Sequence, residues 1–469
     1  MKPELILGVS GARGIVGESL DEGVVTRLAR AFCAQLSSPG PVLVGRDTRP
    51  SGARLAEACM RELRSAGREA VDLGVVPTPT VQLAVEVERA AGGIVITASH
   101  NPPAWNGLKF ISPAGIFLDA AAMDRLIARF HESAPSAEPS HADEGERPSP
   151  SRGMDDSGTV TTKAGMRAVR ALIERILPLC EADRIRAQRP RVVIDAVHGA
   201  GAVVIAPLLE QLGVEADWID GEPDGRLPEH PEPRAERLEP LARAAASAGA
   251  QIGFALDPDG DRLALVLPDR VLGEEWTLPL CAARLLARGL QGPLVTNLST
   301  SARIEWIAAR HGQSVARTPV GEAHVVSRMK SLGATLGGEG NGGVIDARVH
   351  YGRDAAVGIA QLLSLEISGP RGRDGIAFAV NEFPPFVLVK DEAPLSRAEL
   401  VALEPRLVRL FGEPGDRSDG LRWSWPGRWL HVRPSNTEPK TRIFAEAADD
   451  DAAREMVRAV KEQGRQSSR

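Results

Sequence analysis

Three aspartates alternate with other residues in Asp257-Pro258-Asp259-Gly260-Asp261, and Arg262 follows directly. Carboxylates this close repel one another unless a partner neutralises them. A hard divalent cation held by oxygen ligands is such a partner, and Gly260 permits the sharp turn between ligands. The plainer alternative is a solvated acidic turn. An EF-hand does not fit, because the loop is too short and lacks the distal Glu. A second stretch, Thr97-Ala98-Ser99-His100-Asn101-Pro102-Pro103, sets a hydroxyl, an imidazole and an amide side by side. Lys109, in Asn106-Gly107-Leu108-Lys109-Phe110, adds a cation a few residues beyond this candidate nucleophile. The plain alternative here is a surface turn rich in turn formers.

The elements before these loops give them a place. Ile94-Val95-Ile96 is a short apolar run of strand type, and Pro102-Pro103 stops any continuation. Gln251 to Leu256 is an apolar strand that runs into Asp257. In open α/β sheets ligands sit beyond the carboxyl ends of strands. A unit also repeats: a helix ends at a glycine and a strand follows. Gly67, Gly213 and Gly312 are the three occurrences, and each suits a helix C-cap. Such units build parallel sheets with right-handed crossovers.

Taken in order, four stretches resemble the α-D-phosphohexomutase family across nearly the whole chain. They are Val44-Gly45-Arg46-Asp47-Thr48-Arg49-Pro50-Ser51-Gly52, the serine loop, Asp257 to Arg262, and Arg433-Pro434-Ser435-Asn436-Thr437-Glu438-Pro439. The resemblance implies an α/β fold: three similar mixed α/β domains, a smaller C-terminal α+β domain, and an active site in the central cleft. It implies an isomerase that moves a phosphoryl group between the 1 and 6 positions of a hexose or hexosamine phosphate, through a phosphoserine and a sugar bisphosphate.

Roles follow from the same resemblance. Ser99 carries the phosphoryl group, and Asp257, Asp259, Asp261 and a phosphoserine oxygen of Ser99 hold Mg2+. His100 and Lys109 are the candidates for moving the hydroxyl proton or binding phosphoryl oxygens. Arg13, in the glycine-rich Gly8 to Gly17 segment, is an active-site arginine, and Arg262 contacts the phosphorylated Ser99. Glu339 and Asn341 read sugar hydroxyls. Arg433, Ser435, Asn436, Thr437 and Arg442 form a phosphate cradle of guanidinium, hydroxyl, amide and backbone N–H groups. Arg46, Asp47 and Arg49 are read as an ion-pair cluster that braces the site. Arg353 and Asp354 are read as helix-entry and packing groups. The Ala196 to Gly201 turn is read as structural, and the loop Pro223 to Pro233 receives no catalytic role.

The substrate reading rests on departures in two stretches, one of them the Glu-x-Ser-Gly-His form of phosphomannomutase/phosphoglucomutase enzymes. Asn341 stands for Ser and Gly343 for His, and Thr296 to Thr300 lacks the lysine often found there. Both favour a phosphoglucosamine mutase-like activity, glucosamine 6-phosphate to glucosamine 1-phosphate, with phosphomannomutase/phosphoglucomutase as the alternative. Two more distant rivals are a haloacid-dehalogenase-type phosphatase, with Asp257 as nucleophile, and a non-catalytic sugar-phosphate sensor.

The chain's 469 residues are too many for one core. The expected domains are 1–135 with the phosphoserine, an exposed linker or insertion at 136–158 rich in Ser, Pro and acidic residues, 159–254, a metal- and sugar-binding domain at 255–369, and a phosphate-binding domain at 370–469. A net charge of −6 argues against nucleic acid. No apolar run reaches membrane-spanning length, and the N-terminus has no signal-peptide pattern. The four cysteines have no metal-type spacing. These features fit a cytoplasmic protein, and the resemblance implies an enzyme, monomer or homodimer, whose partner is a small sugar phosphate.

Overall fold

The structure, a computed structural model, describes residues 4–133, 161–366, 375–435 and 440–467. The expected linker at 136–158 and the site residues Asn436 and Thr437 lie outside the described residues. The chain divides into two compact units, Met1–Gly273 with Arg348–Ala360, and Glu274–Ala347 with Gln361–Arg469.

The first unit holds two mixed sheets. One contains β1 (Ile6–Gly8), β2 (Gly11–Ile15), β3 (Val42–Arg46), β4 (Ala70–Val75), β5 (Gly92–Ile96) and β6 (Trp105–Ile111), in the order β1-β2-β6-β5-β3-β4. β3 runs parallel to both β4 and β5, whereas β6 is antiparallel to β5 and β2. The apolar runs of β3 and β5 pack under the helices Glu22–Cys33 and Gly52–Ser65, in a core that includes Val44, Ile94, Leu28, Phe32 and Leu55. The first of these helices starts at Asp21, whose carboxylate accepts from the Val24 N–H, a standard N-cap. Gly67 follows the second with φ +77°, as its C-cap role predicts. Gly213 and Gly312 likewise take φ +65° and +66° after their helices.

The other sheet of this unit contains β7 (Arg191–Asp195), β8 (Glu215–Ile219), β9 (Ile252–Leu256), β10 (Leu263–Leu267) and β11 (Arg270–Gly273), in the order β11-β10-β9-β7-β8. β9 is parallel to β7 and antiparallel to β10, and Leu256 faces Leu263 across the pair. The aspartate loop is the turn between these two strands. The boundary expected at 254/255 therefore falls inside β9 and needs correction. β9 is held on both sides by strands of its own sheet, so the aspartates belong with the second sheet rather than with the segment that follows. The Ala196 to Gly201 turn supports that loop: the Ala200 N–H donates to the Pro258 carbonyl at 2.7 Å.

The second unit also holds two sheets. β12 (Leu294–Asn297), β13 (Val315–Thr318), β14 (Leu336–Glu339) and β15 (Gly343–Asp346) form a mixed sheet in the order β13-β12-β14-β15. β16 (Val387–Ala393), β17 (Leu421–Trp425), β18 (Arg428–Pro434) and β19 (Thr441–Ala447) form an antiparallel sheet in the order β16-β19-β18-β17. Helices Arg397–Phe411 and Asp450–Ser467 cover it, with Leu403, Leu407, Trp423, Ile443 and Val457 in the shared core. Ser396 and Glu399 form a reciprocal capping box at the first of these helices. Among the described residues no helix is long and apolar enough to cross a membrane.

Candidate active site

The serine loop begins where β5 ends. β3 and β5 run parallel with Arg46 opposite Ile96, so their carboxyl ends bring Asp47 beside Thr97. The Thr97 hydroxyl donates to Asp47 Oδ2 at 2.6 Å, and the Ser99 N–H donates to Thr97 Oγ1 at 2.8 Å. Arg49 pairs with Asp47 at 3.0 Å, both side chains being fully buried. Its other nitrogens donate to the carbonyls of Ser99, Asn101, Pro102 and Trp105 at 2.6–2.9 Å. One guanidinium thus fixes the course of the whole loop, which is the bracing role expected of Asp47 and Arg49. The backbone at Ser99 has φ +51°, a left-handed conformation that a side chain adopts at a cost. β6 approaches closely enough to require glycine at 107, where a Cβ would lie 2.3 Å from the Ala12 carbonyl oxygen.

That loop faces the aspartates. Ser99 Oγ donates to Asp257 Oδ2 at 3.0 Å, and the Asp257 Oδ1 atom accepts from the N–H groups of Asp261 and Arg262. Lys109 Nζ bridges Asp259 Oδ2 at 2.7 Å and Asp261 Oδ2 at 3.1 Å. The Thr78 hydroxyl donates to Asp259 Oδ2 at 2.6 Å. All three aspartates are fully buried. Burial, then the neighbouring Asp261 and Asp259, pushes the Asp257 carboxyl well above its usual range. Burial acts the same way on Asp261, but Arg353, Lys109 and Arg262 outweigh it and hold that pKa low. For Asp259, Lys109 overcomes burial. Burial disfavours the Lys109 charge, yet the Asp259 and Asp261 carboxylates outweigh it and raise the pKa.

The donor set fits a hard metal ion. One oxygen from each of Asp257, Asp259 and Asp261 lies within 4.8 Å of the others. Asp259 Oδ1 and Asp261 Oδ1 are buried and have no hydrogen-bond partner among the described residues. Orphaned buried carboxylate oxygens are costly, and a divalent cation with oxygen ligands removes the cost.

Arginines and a histidine border this centre. Arg13 donates to Asn101 Oδ1 at 3.0 Å, and burial followed by Arg262 lowers its pKa to about 10. Arg262 pairs with Glu232 at 2.7 Å and lies 3.7 Å from Asp261. His100 Nδ1 lies 3.4 Å from Ser99 Oγ, and its Nε2 lies 3.9 Å from Glu232. Burial, reinforced by Arg262, keeps the imidazole pKa well below its usual value. The structure thus brings together Arg13, Ser99, His100, Lys109, Asp257, Asp259, Asp261 and Arg262.

It also adds residues that the sequence reading passed over. Arg353 Nη2 donates to Asp261 Oδ2 at 2.6 Å, so Arg353 faces the carboxylates rather than only opening a helix. Glu232, from the loop given no catalytic role, anchors Arg262; burial disfavours its charge, but His100, Arg262 and Arg234 outweigh burial and lower its pKa. Neither has a local signature. The Arg353-Asp354 pair precedes an apolar helix and reads as a cap, and the Pro-rich loop reads as irregular connection.

In the second unit the β14–β15 turn carries Glu339 and Asn341. Glu339 is buried, and its Oε1 accepts from Asn297 Nδ2 at 2.7 Å and the Gly321 N–H at 2.9 Å. The Gly343 N–H donates to Asn341 Oδ1 at 3.1 Å. At the end of β18, Arg433 donates through Nε to Asp419 Oδ2 at 2.8 Å, while its buried Nη2 has no hydrogen-bond partner among the described residues. Arg442 stands opposite Arg433 on β19. The Ser435 N–H donates to the Lys440 carbonyl, which holds the two ends of the loop together. Asn297 and Asp419 were not among the sequence-derived candidates.

A mixed-sheet scaffold with a serine, a buried carboxylate triad and encircling cations is a phosphoryl-transfer centre in its chemistry. Sequence models of the successive domains of phosphoglucomutase/phosphomannomutase match in chain order. Alpha/beta/alpha domain I matches residues 4–136, domain II 170–270, domain III 274–373, and the C-terminal domain 419–463. The chain is 33% identical over 463 residues to the phosphoglucomutase/phosphomannomutase of Thermococcus kodakarensis, covering 96% of each chain. It is 33% identical over 454 residues to a probable phosphoglucosamine mutase of Methanopyrus kandleri, covering 96% of this chain and 95% of the relative. A solved structure of a phosphoglucomutase/phosphomannomutase family protein from Burkholderia thailandensis superposes with a TM-score of 0.78 at 26% identity, over 98% of this chain and 97% of that one. The chain belongs to the phosphoglucomutase/phosphomannomutase family.

Proposed function

We propose that this protein is a phosphohexomutase that interconverts glucosamine 6-phosphate and glucosamine 1-phosphate. The observation that carries the reading is Ser99 Oγ at 3.0 Å from Asp257 of the buried triad, at the carboxyl end of a central strand. Mg2+ held by Asp257, Asp259, Asp261 and a phosphoserine oxygen would supply charge neutralisation at the transferring phosphoryl group.

The chain's own residues divide the remaining work. The free hydroxyl of the sugar phosphate attacks phosphorus carried on Ser99. The bond from phosphorus to Ser99 Oγ breaks as the bond to the sugar oxygen forms, and the hydroxyl proton leaves to a base. His100 is suited to taking that proton, a reading supported by its Nδ1 lying 3.4 Å from Ser99 Oγ. Lys109, engaged by two carboxylates, is suited to phosphoryl oxygens instead. Arg13 and Arg262, held by Asn101 and Glu232, are suited to the same phosphoryl oxygens. The resulting bisphosphate turns, and its other phosphate returns to Ser99. Glu339 and Asn341 bind sugar hydroxyls. Arg433, Ser435, Asn436, Thr437 and Arg442 bind the phosphate that is not reacting, and Arg433 Nη2, which has no hydrogen-bond partner among the described residues, supports that role.

The amino-sugar substrate is supported by Asn341 and Gly343 in the sugar loop and by full-length relatives bearing the name phosphoglucosamine mutase. The reading is tested by intact-mass measurement together with parallel assays of glucosamine, glucose and mannose 1-phosphates, each primed with a trace of the matching bisphosphate. A stable phosphate on Ser99 and preference for the amino sugar are expected. Preference for glucose or mannose phosphate would move the assignment to phosphoglucomutase/phosphomannomutase. Absence of the phosphate with hydrolytic turnover would favour a phosphatase.

A further inference from the structure

In the second unit a closed circuit of hydrogen bonds joins Glu339 to Arg433. Glu339 Oε1 accepts from Asn297 Nδ2 at 2.7 Å, and Asn297 Oδ1 accepts from the Ser299 N–H at 2.8 Å. Ser299 Oγ lies 2.9 Å from His431 Nδ1, and His431 Nε2 lies 2.7 Å from the Asp419 carbonyl. Asp419 Oδ2 accepts from Arg433 Nε at 2.8 Å and from the Val320 N–H at 3.0 Å. The next residue, Gly321, donates to Glu339 Oε1 at 2.9 Å and closes the circuit.

The chemistry of the partners fixes the direction of each bond. A backbone carbonyl only accepts, so His431 Nε2 carries the hydrogen. Nδ1 of the neutral ring is then an acceptor, and the Ser299 hydroxyl must donate to it. Burial, only partly offset by Asp419, lowers the His431 pKa to about 4, which keeps the ring neutral. His431, Ser299, Glu339 and Arg433 are all buried, at 0%, 7%, 1% and 4% exposure. Removing the Ser299 hydroxyl takes from His431 Nδ1, and removing the Asp419 carboxylate takes from Arg433 Nε, the partner each now has, and water does not substitute freely in a buried network.

We infer that Asp419, His431 and Ser299 are positioning residues that lock the hydroxyl-reading Glu339 and the phosphate-reading Arg433 at one separation, so that sugar and phosphate are recognised as a single unit. The inference rests on the mutase reading above. A mutase must bind the same sugar phosphate in two orientations, and a fixed spacing between the two contacts gives each orientation the same frame. Arg433 is aimed by Asp419 through Nε, which leaves Nη2 for the ligand. Glu339 is aimed by Asn297 and Gly321, whose supports lead back to the same aspartate. None of the three positioning residues needs to touch the substrate.

The test uses the full-length enzyme with hexosamine 1-phosphate and a bisphosphate primer. Ser299→Ala removes one hydrogen bond and little volume, and is expected to raise KM about 3- to 10-fold with a smaller change in kcat. More free bisphosphate should accumulate, while metal affinity and phosphate content at Ser99 stay at wild-type levels. Ser299→Thr, which keeps the hydroxyl, should restore KM. Asp419→Asn is the second variant, with the same signature and a larger KM effect. In a double-mutant cycle, the KM penalties of Glu339→Gln and Arg433→Lys should be non-additive in the wild-type background and additive with Ser299→Ala. A wild type that converts the sugar phosphate while Ser299→Ala and Asp419→Asn keep its KM and the same coupling would overturn the inference alone. A wild type with neither conversion nor phosphate on Ser99 would overturn the mutase reading itself.

Discussion

The two polar centres of this chain are built from different materials. Around Ser99 the groups are ionisable: Asp257, Asp259, Asp261 and Glu232 against Arg13, Lys109, Arg262 and Arg353, paired at distances down to 2.6 Å. Around Glu339 and Arg433 the connections are largely neutral: an amide, a hydroxyl, an imidazole and backbone groups carry the path from one end to the other. Buried charge is expensive unless it is paired, and the first centre meets that cost with a near balance of signs. Such a balance is suited to a group whose own charge arrives and leaves during reaction. Neutral hydrogen bonds have directions, which suits reading a fixed pattern of hydroxyls. The difference separates reaction from recognition, and it makes opposite demands on substitution.

The sharpest break in that contrast is Ser99→Ala. Turnover should fall to background with the fold intact, because the side chain is small and carried on a loop; circular dichroism and the mutase assay report the two separately. Near-normal turnover would end the phosphoserine assignment. Asp259→Ala should come next. Loss of an outer partner of a metal ligand costs about 10–100-fold, and a direct ligand sets at least that scale. Calorimetry should show weaker Mg2+ binding in step with lower kcat, and unchanged affinity would place the metal elsewhere.

Two arginines then test the division of labour directly. Arg433→Ala removes a charge-assisted contact that contributes about 1.5–3 kcal/mol, so KM should rise by about one to two decades with Ser99 phosphorylation unaffected. Arg353→Ala leaves Asp261 without its closest cation, and it should lower kcat more than it raises KM. If both variants give the same kinetic signature, the separation of reaction from recognition does not hold.

The smallest effect is a pH dependence in the neutral centre. The folded pKa of His431, about 4, lies below the ordinary value of 6.5, so the unfolded chain takes up the proton first. Stability from the neutral ring is complete above pH 6.5 and is lost as pH falls toward about 4, at up to ~1.4 kcal/mol per pH unit. The groups facing the ring are Ser299, Asp419, Arg433 and Arg422. The difference between wild-type and His431→Gln unfolding free energies should narrow steadily over this window. A constant difference would show that the ring is already protonated in the folded state.

The two centres were also unequally legible in the sequence. Ser99 and the aspartates could be found because each follows an apolar strand within one short stretch, so local pattern and site coincide, and Lys109 stands out as a cation a few residues beyond Ser99. Arg49 was legible as a brace, although not that its guanidinium would collect four loop carbonyls. Arg353, Glu232, Asn297 and Asp419 were not legible. Each acts on a residue far away in sequence, and its own surroundings look like a cap, a loop or a turn. The boundary placed at 254/255 failed for a related reason. An apolar strand that ends in a striking motif invites a cut before the motif, whereas β9 is tied to β7 and β10 by pairings the local sequence does not reveal.

The left-handed backbone at Ser99 restricts what can serve as the phosphoryl carrier. Its φ of +51° tolerates an unbranched side chain at a modest cost and a β-branched one poorly. Threonine has the same hydroxyl and forms the same phosphoester, yet its extra methyl conflicts with the backbone that aims the oxygen at Asp257. Glycine relaxes that backbone and supplies no oxygen at all. The choice of serine over its nearest chemical homologue is thus made by the main chain, before any question of reactivity arises.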